Sequence, residues 1–316
     1  MKDVTVIIPN YNGIRFLTTA LESLRKQDTD SFEIVVVDNG SDDGSTALLR
    51  EQFPEVRLVS LPENVGFAAA VNCGIRQARS PYVLLLNNDT EAEPSFVREL
   101  LEAIRRHRRA FSCQAMMMNF EERELLDGAG DLYNAMGWAF ARGKGKDYRG
   151  YDHEERIFSS CAGAAIYRRK LVEKLGLFDE EHFAYLEDMD LCYRARLMGF
   201  ENWYIPRAVV YHMGSATTGS RYNQFKIRYS SRNNVYMIYK NMPLFQILLN
   251  LPLLIAGFGI KILFFAAKGY GREYLAGIKN GFTISRKERK VPFSVKRLRY
   301  YVDIQMELWE NLFKRF

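Results

Sequence analysis

Cysteine is scarce in this chain: four residues in 316, Cys73, Cys113, Cys161 and Cys192, with none in a C-x-x-C pair. That spacing argues against a zinc site and against a redox dithiol. No signal-peptide-like stretch precedes the first strand-like run, Val4–Ile8, so the N-terminus is expected in the cytosol, where the thiols stay reduced. Two sequons, at Asn39 and Asn88, are accordingly read as chance matches. A G-x-G-x-x-G fingerprint is missing, and the loop after the first strand is Pro9-Asn10-Tyr11-Asn12-Gly13 rather than a glycine-rich phosphate loop. These two absences count against an NAD-dependent enzyme and against a nucleotidyltransferase that makes sugar nucleotides.

Charge is unevenly spread. The net charge is +6, but residues 226–316 carry 17 Lys and Arg against 5 Asp and Glu, while residues 1–225 carry 27 against 33. An acidic front with a basic, apolar rear is not the profile of a nucleic-acid binder, and no nucleic-acid partner is expected. It suits an anionic membrane surface better. The apolar fraction of 47% and charged fraction of 26% are those of a globular protein with ample core.

The first hundred residues alternate short apolar runs with amphipathic stretches. Val4–Ile8, Phe32–Val37, Val56–Ser60 and Tyr82–Leu86 are continuous and rich in branched side chains, as expected of strands covered on both faces. Helical patterns fill the gaps at 14–26, 45–52, 68–79 and 94–107. The alternation predicts an α/β fold with a mostly parallel central sheet and helices on both faces. In such sheets ligands bind beyond the carboxyl ends of the strands, and polar residues gather at all four of those ends here. Residues 119–156, glycine-rich, charged and weakly periodic, read as a mobile loop region or as a plain surface insertion. A further strand is expected over 157–167, a helix over 186–198, and short strands over 201–204 and 209–212.

Several positions carry chemistry-bearing side chains. Asp38 directly follows a buried strand, where a carboxylate can accept hydrogen bonds from a ribose or a base; a turn aspartate is the plainer reading. Asp89 closes Asn87-Asn88-Asp89, a sensible oxygen anchor for a hard divalent cation, or equally a turn cap. Glu187-Asp188-Met189-Asp190 opens a helix, where acids are favoured by the dipole. Three carboxylates in four residues also repel one another, and repulsion with partial burial makes a better base. Asp190 and Arg194 stand at i,i+4 and can pair, which leaves Asp188 free. His212 ends a strand and is either structural or a metal ligand.

The stretches VTVIIPNYNG, EIVVVDNGSDDGS, ENVGFAAAVNCGI, LLLNNDT, CAGAAIYRR, YLEDMDLCYRARLMGF and VVYHMGS occur in this order between Val4 and Ser215, and the resemblance they carry spans about residues 3–240. Together they resemble the family 2 inverting glycosyltransferases of the GT-A fold. Within these, the chain is similar to the rhamnosyltransferase-like and galactofuranosyltransferase-like bacterial members that build cell-surface polysaccharides. The resemblance implies that Pro9, Tyr11 and Asp38 hold the nucleotide, and that Asp42, Asn64, Gly66, Asn72 and Asn88 line the rest of the donor pocket. It implies that Asp89 and His212 ligate a divalent metal, Mn²⁺ or Mg²⁺, that Asp188 is the catalytic base, and that Glu187 and Asp190 are supporting acids. One departure is Asn87, uncharged where the D-x-D metal motif begins with aspartate. The implied donor is a dTDP- or UDP-linked sugar, rhamnose first, with galactofuranose or another hexose next. The implied acceptor is a lipid-linked glycan. A non-catalytic scaffold with a retained fold is the reading from a different class.

The rear segment bears on that acceptor. Asn241–Ile260 has no charged residue in twenty, enough to cross a bilayer, yet Pro252, Gly257 and Gly259 interrupt it and both flanks are basic. A simple span keeps its positive flank on the cytoplasmic side only, so the expectation is an interfacial or re-entrant helix pair. The chain is thus divided into a catalytic domain, 1–225, and a basic, apolar, membrane-associating helical region, 226–316, at the cytoplasmic face of the plasma membrane. A hydrophobic helix packed on the front domain or on a second subunit is the alternative. The basic stretch 286–299 can meet anionic headgroups.

Overall fold

The structure is a computed structural model, and it describes residues 2–214, 222–288 and 290–314. Ser215, the last residue of the VVYHMGS stretch, and Arg289, within the basic stretch, lie outside the described residues.

The branched apolar runs form strands and the amphipathic stretches between them form helices: β1 (Val4–Asn10), α1 (Ile14–Arg25), β2 (Phe32–Asn39), α2 (Ser45–Gln52), β3 (Arg57–Leu61), α3 (Phe67–Gln77) and β4 (Tyr82–Leu86). Next come β5 (Thr90–Ala92), α4 (Phe96–Arg106), β6 (Ala110–Asn119), β7 (Leu126–Gly128), β8 (Asp131–Tyr133), β9 (Ala139–Ala141), β10 (Glu155–Ile157), β11 (Ala164–Arg168) and α5 (Arg169–Lys174). The chain continues through α6 (Glu187–Leu197) and β12 (Glu201–His212) to four helices, α7 (Gln224–Asn241), α8 (Leu244–Ala267), α9 (Gly271–Ser285) and α10 (Leu298–Glu310).

The main sheet runs β10-β12-β6-β11-β4-β1-β2-β3, with β5 on β12 and β7 on β6; β8 and β9 form a separate hairpin. Pairing is parallel from β4 through β1 and β2 to β3. β11 enters antiparallel to both β4 and β6 and joins the two halves. Leu17, Leu21 and Leu24 of α1 pack on one face of the sheet with the apolar stripe Phe96, Val97, Leu100, Leu101 and Ile104 of α4. The other face is covered by Ala68, Val71 and Ile75 of α3, Val172 of α5 and Leu191, Cys192 and Ala195 of α6. A third cluster joins Tyr133, Phe158, Met189, Tyr193 and Leu197 to Met237, Leu254, Ile304 and Leu308 of the rear helices.

Residues 119–156, expected as a loop region, hold β7, the β8–β9 hairpin and the start of β10. Asp131 and Ser159 exchange backbone hydrogen bonds of 2.9 and 3.1 Å, which ties this stretch to the segment before β11. The two short strands expected over 201–212 are one strand with an irregularity between Ile205 and Val209. The expected strand over 157–167 begins only at Ala164.

Candidate functional site

The carboxyl ends of β1, β2 and β4 meet in a net of side chains. Asn10 sits at the centre: its amide donates to Asp38 Oδ1 at 3.1 Å, and its carbonyl accepts from Asn88 Nδ2 at 2.7 Å. Asp38 Oδ2 in turn accepts from the Ser41 backbone N–H at 3.2 Å. Asp42 is exposed on the same loop, its N–H bonded to Asn12 Oδ1 at 3.0 Å, and Tyr11 is 39% exposed beside it. Pro9 stands in β1 opposite Val37 of β2.

A second ring is built on Asn39, which holds Asn64 Oδ1 at 3.0 Å and accepts from Val65 N–H at 3.0 Å. The loop ends at Gly66, with φ +90°, where a Cβ would lie 2.6 Å from the Phe183 ring. Only glycine allows that backbone conformation together with so close an approach. Asn72 is almost fully buried on α3 and ties that helix to the segment 178–180. Its amide donates to Phe178 O and to Glu180 Oε1 at 2.8 and 2.9 Å, and its carbonyl accepts from Phe178 N–H at 3.0 Å.

Beyond β4, Asp89 and His212 face each other, Oδ1 to Nε2, at 3.2 Å. The Asn87 side chain is 3.4 Å from the same nitrogen. His212 Nδ1 donates to Asp127 Oδ2 at 2.8 Å, and Lys144 pairs with the other Asp127 oxygen. Burial alone would lower the imidazole pKa, but the hydrogen bonds to Asp127 and Asp89 outweigh it and push it up to about 9. Burial likewise opposes ionisation of Asp127, and His212 and Lys144 overcome it, holding that carboxyl down at about 2. This donor set fits a divalent cation. One oxygen and one nitrogen stand at the separation of neighbouring ligands that are each about 2.1 Å from a common ion. The Asp127 carboxylate holds the Nδ1 proton, so a cation that displaces the Nε2 proton would meet that nitrogen already aimed at it. A different acid group, Asp179, His182 and Asp190, also clusters, but Lys240 and Arg194 already neutralise it.

Asp188 lies in the first turn of α6. Its Oδ2 accepts from Ala162 N–H at 3.0 Å and its Oδ1 from Met189 N–H at 2.7 Å. Gly163, the next residue after Ala162, accepts from Asn87 N–H at 2.9 Å. Two consecutive residues of one turn therefore hold Asp188 on one side and the end of β4 on the other. Burial raises the Asp188 carboxyl against those backbone bonds. Burial and then the Asp188 charge push Glu187 and Asp131 well above the usual carboxylate range. Asp131, Cys161 and Asp188 offer ligating atoms all within 4.8 Å of one another. Asp190 turns away: Arg194 and Lys240 bind its Oδ2 at 2.8 and 2.9 Å, and Asn241 donates to its Oδ1 at 2.7 Å.

The loop that presents Asp188 is held from the rear. Asn233 of α7 aims its amide at the carbonyls of His182, Ala184 and Tyr185, each at 2.8 Å. Sequence reasoning passed over Asn10, Asn39, Asp127, Asp131 and Asn233. Asparagines at strand ends read as turn residues, and Asp127 and Asp131 lie in the weakly periodic, glycine-rich stretch 119–156, which reads as a loop region or a surface insertion.

A family model described as "Glycosyl transferase family 2" matches residues 5–176, and the chain belongs to that family, with the GT-A fold. It is similar to the N-acetylglucosaminyl-diphospho-decaprenol L-rhamnosyltransferase of Mycobacterium tuberculosis, at 28% identity over 246 residues, 69% of this chain and 79% of that protein. It is 34% identical over 95 residues to a teichoic acid poly(glycerol phosphate) polymerase of Staphylococcus epidermidis; this match takes in 29% of the chain but only 13% of the polymerase. The fold is also that of GalNAc-T7, crystallised with UDP, GalNAc and Mn²⁺, at a TM-score of 0.60 and 16% identity, over 75% of this chain and 48% of that one.

Proposed function

We propose that the protein is an inverting glycosyltransferase that moves a sugar from a nucleotide-diphosphate donor to a hydroxyl of a lipid-linked glycan in cell-surface polysaccharide synthesis. The observation that carries this reading is the Ala162-Gly163 turn, which bonds Asp188 and the end of β4 from adjacent residues. It sets a partly buried carboxylate beside the strand end where Asp89 and His212 stand.

In this reading Pro9, Tyr11, Asp38 and Asn88 hold the nucleotide end of the donor, and Asp42, Asn64 and Gly66 shape the remaining wall. Asn72 supports that wall from within through the 178–180 loop. Asp89 and His212 would hold the divalent cation, Mn²⁺ or Mg²⁺, which when bound supplies Lewis-acid stabilisation of the departing diphosphate. Asp188 takes the proton of the acceptor hydroxyl as its oxygen forms the new bond to the anomeric carbon and the bond to the diphosphate oxygen breaks. A single displacement from the opposite face inverts the anomeric configuration. The raised carboxyl of Asp188 is better matched to a hydroxyl proton than an ordinary aspartate. Glu187 and Asp190 support the base without touching substrate, Glu187 as the buried carboxyl next to it and Asp190 by anchoring α6.

Rhamnose carried on dTDP is the first choice of donor. The similarity to the mycobacterial rhamnosyltransferase supports it, and a UDP-linked galactofuranose or hexose stands second. The decaprenol-linked substrate in that relative's name and the exposed apolar helix α8 support a lipid-linked acceptor at the cytoplasmic membrane face. The test is a thermal-shift and turnover screen of the purified protein against nucleotide sugars, with and without Mn²⁺ or Mg²⁺. One donor should stabilise the protein in a metal-dependent way and be slowly hydrolysed. No response to any nucleotide with either metal would sink the reading in favour of a scaffold.

Asp127 provides a separate check. Replacing it with alanine should weaken Mn²⁺ binding, followed by calorimetry, by about 10- to 100-fold, because His212 loses the partner that orients it. Unchanged Mn²⁺ affinity in Asp127→Ala would exclude His212 as a ligand held in this way.

A further inference from the structure

We propose that α8 and α10 form an in-plane anchor that lies flat on an anionic lipid surface, and that α8 does not cross the bilayer. The proposal deepens the membrane-surface reading above and rests on it.

α8 is 24 residues long and apolar enough to span. Its inner side, however, is fastened to the rest of the chain. Gln246, Asn250, Leu254 and Gly257, spaced four, four and three apart, are its buried residues. The Gln246 amide donates to Gln305 of α10 at 3.0 Å. Asn250 and Gln305 exchange two bonds, 2.8 and 2.9 Å, and Trp309 Nε1 donates to Asn250 Oδ1 at 3.1 Å. Farther along, Trp138 Nε1 donates to Gly257 O at 3.1 Å. At Gly257 a Cβ would lie 2.1 Å from Met136 O, so the helix touches the backbone of the front domain there.

These ties run over about 16 Å of helix, at 1.5 Å per residue. A span needs about 20 residues, or 30 Å, free to meet lipid. Drawing this helix into hydrocarbon would also strip Gln246, Asn250 and Gln305 of their partners, which lipid cannot replace.

The outer side is the opposite in character. Leu244, Leu248, Leu251 and Ile255 are each 41–67% exposed on one stripe. Leu298, Val302 and Met306 make a matching stripe on α10, four residues apart and 47–52% exposed. The two are bridged by Phe293, whose ring lies 5.5 Å from Phe245 and 5.2 Å from Tyr301. An apolar face of this extent on two adjoining helices marks an interaction surface rather than scattered exposure.

Charge selects the occupant. Lys268, Arg272, Arg286, Lys287, Lys296 and Arg299 are exposed between the end of α8 and the first turn of α10, the stretch that includes α9. A second copy docked through this face would bring like charges together, whereas anionic headgroups would neutralise them.

The test uses the full-length protein and co-sedimentation with phosphatidylcholine vesicles, with and without about 30% phosphatidylglycerol. The wild type should sediment with the anionic vesicles, less so as salt rises. The triple variant Leu248→Glu, Ile255→Glu, Val302→Glu should bind at least about 10-fold more weakly with an unchanged melting temperature, since all three sites are exposed. Three results would overturn the proposal: no vesicle binding by the wild type, resistance of the membrane-bound protein to extraction by alkaline carbonate, or a wild-type dimer that the triple variant merely splits. Metal-dependent donor hydrolysis, measured without lipid in the same preparations, separates the two readings. Hydrolysis without vesicle binding overturns the anchor alone. Vesicle binding without hydrolysis supports the anchor and removes the transferase.

Discussion

Asp188→Asn should lower kcat by roughly 10²- to 10⁴-fold, the usual contribution of a positioned general base. Affinity for the nucleotide donor, read by calorimetry, should stay within about threefold, because the side chain acts on the acceptor proton and not on the donor. The asparagine keeps one of the two backbone acceptor contacts, to Ala162 or to Met189, so the first turn of α6 is retained. The wild-type profile carries a second mark. With the carboxyl raised by burial, the acid limb of kcat/KM should fall above the ordinary aspartate value of about 4. Full turnover in the asparagine variant would remove Asp188 from the mechanism, whatever the donor.

The largest loss of stability is expected at the neighbouring acid. Asp190 is fully buried, and its carboxylate neutralises both Arg194 and Lys240. Asp190→Ala leaves the buried Arg194 without its carboxylate and Lys240 with Asp179 alone, and should cost about 3–5 kcal/mol, measured by urea unfolding. The pH dependence follows from the same contacts. Burial alone would raise this carboxyl, but Arg194, Lys240, His182 and Asn241 hold it far below the usual range. Its contribution is therefore complete above the unfolded-state value of about 4 and is lost as the pH falls below it. Glu187 works in the opposite sense. Its pKa is raised, so its ionisation weighs against the fold increasingly as pH climbs above about 4.3. Asp190→Ala should thus flatten the acid side of the stability profile, and an unchanged acid limb would show that the Asp190 cluster is not what sets it.

The parallel half of the sheet was legible because β1, β2, β3 and β4 are continuous runs of branched and apolar residues bounded by polar turns. β6 was not, since AFSCQAMMMN mixes serine, glutamine and unbranched methionines, which carry little strand signal. The strands of 126–157 are three residues each, too short to show a period, and β10 forms only against the distant β12, so no local pattern announces them. The same holds for the site. Asp38, Asp89 and Asp188 stand at strand ends and at a helix start, where position alone makes them conspicuous. Asp127 acquires meaning only from His212, 85 residues away, and Lys240 only from Asp190, 50 residues away. The Asp190–Arg194 pair was readable because helical spacing is local.

α6 has little surface to spare. Of its eleven residues only Asp188 and Arg196 are not buried; Arg196 is tied to Glu307 of α10, and Asp188 carries the proposed chemistry. A helix in which almost every side chain is committed to packing, pairing or reaction leaves natural variation little room. Changes of acceptor preference in this lineage should therefore accumulate in the surrounding loops, while drift within α6 is confined to coordinated replacements with α7 and α10.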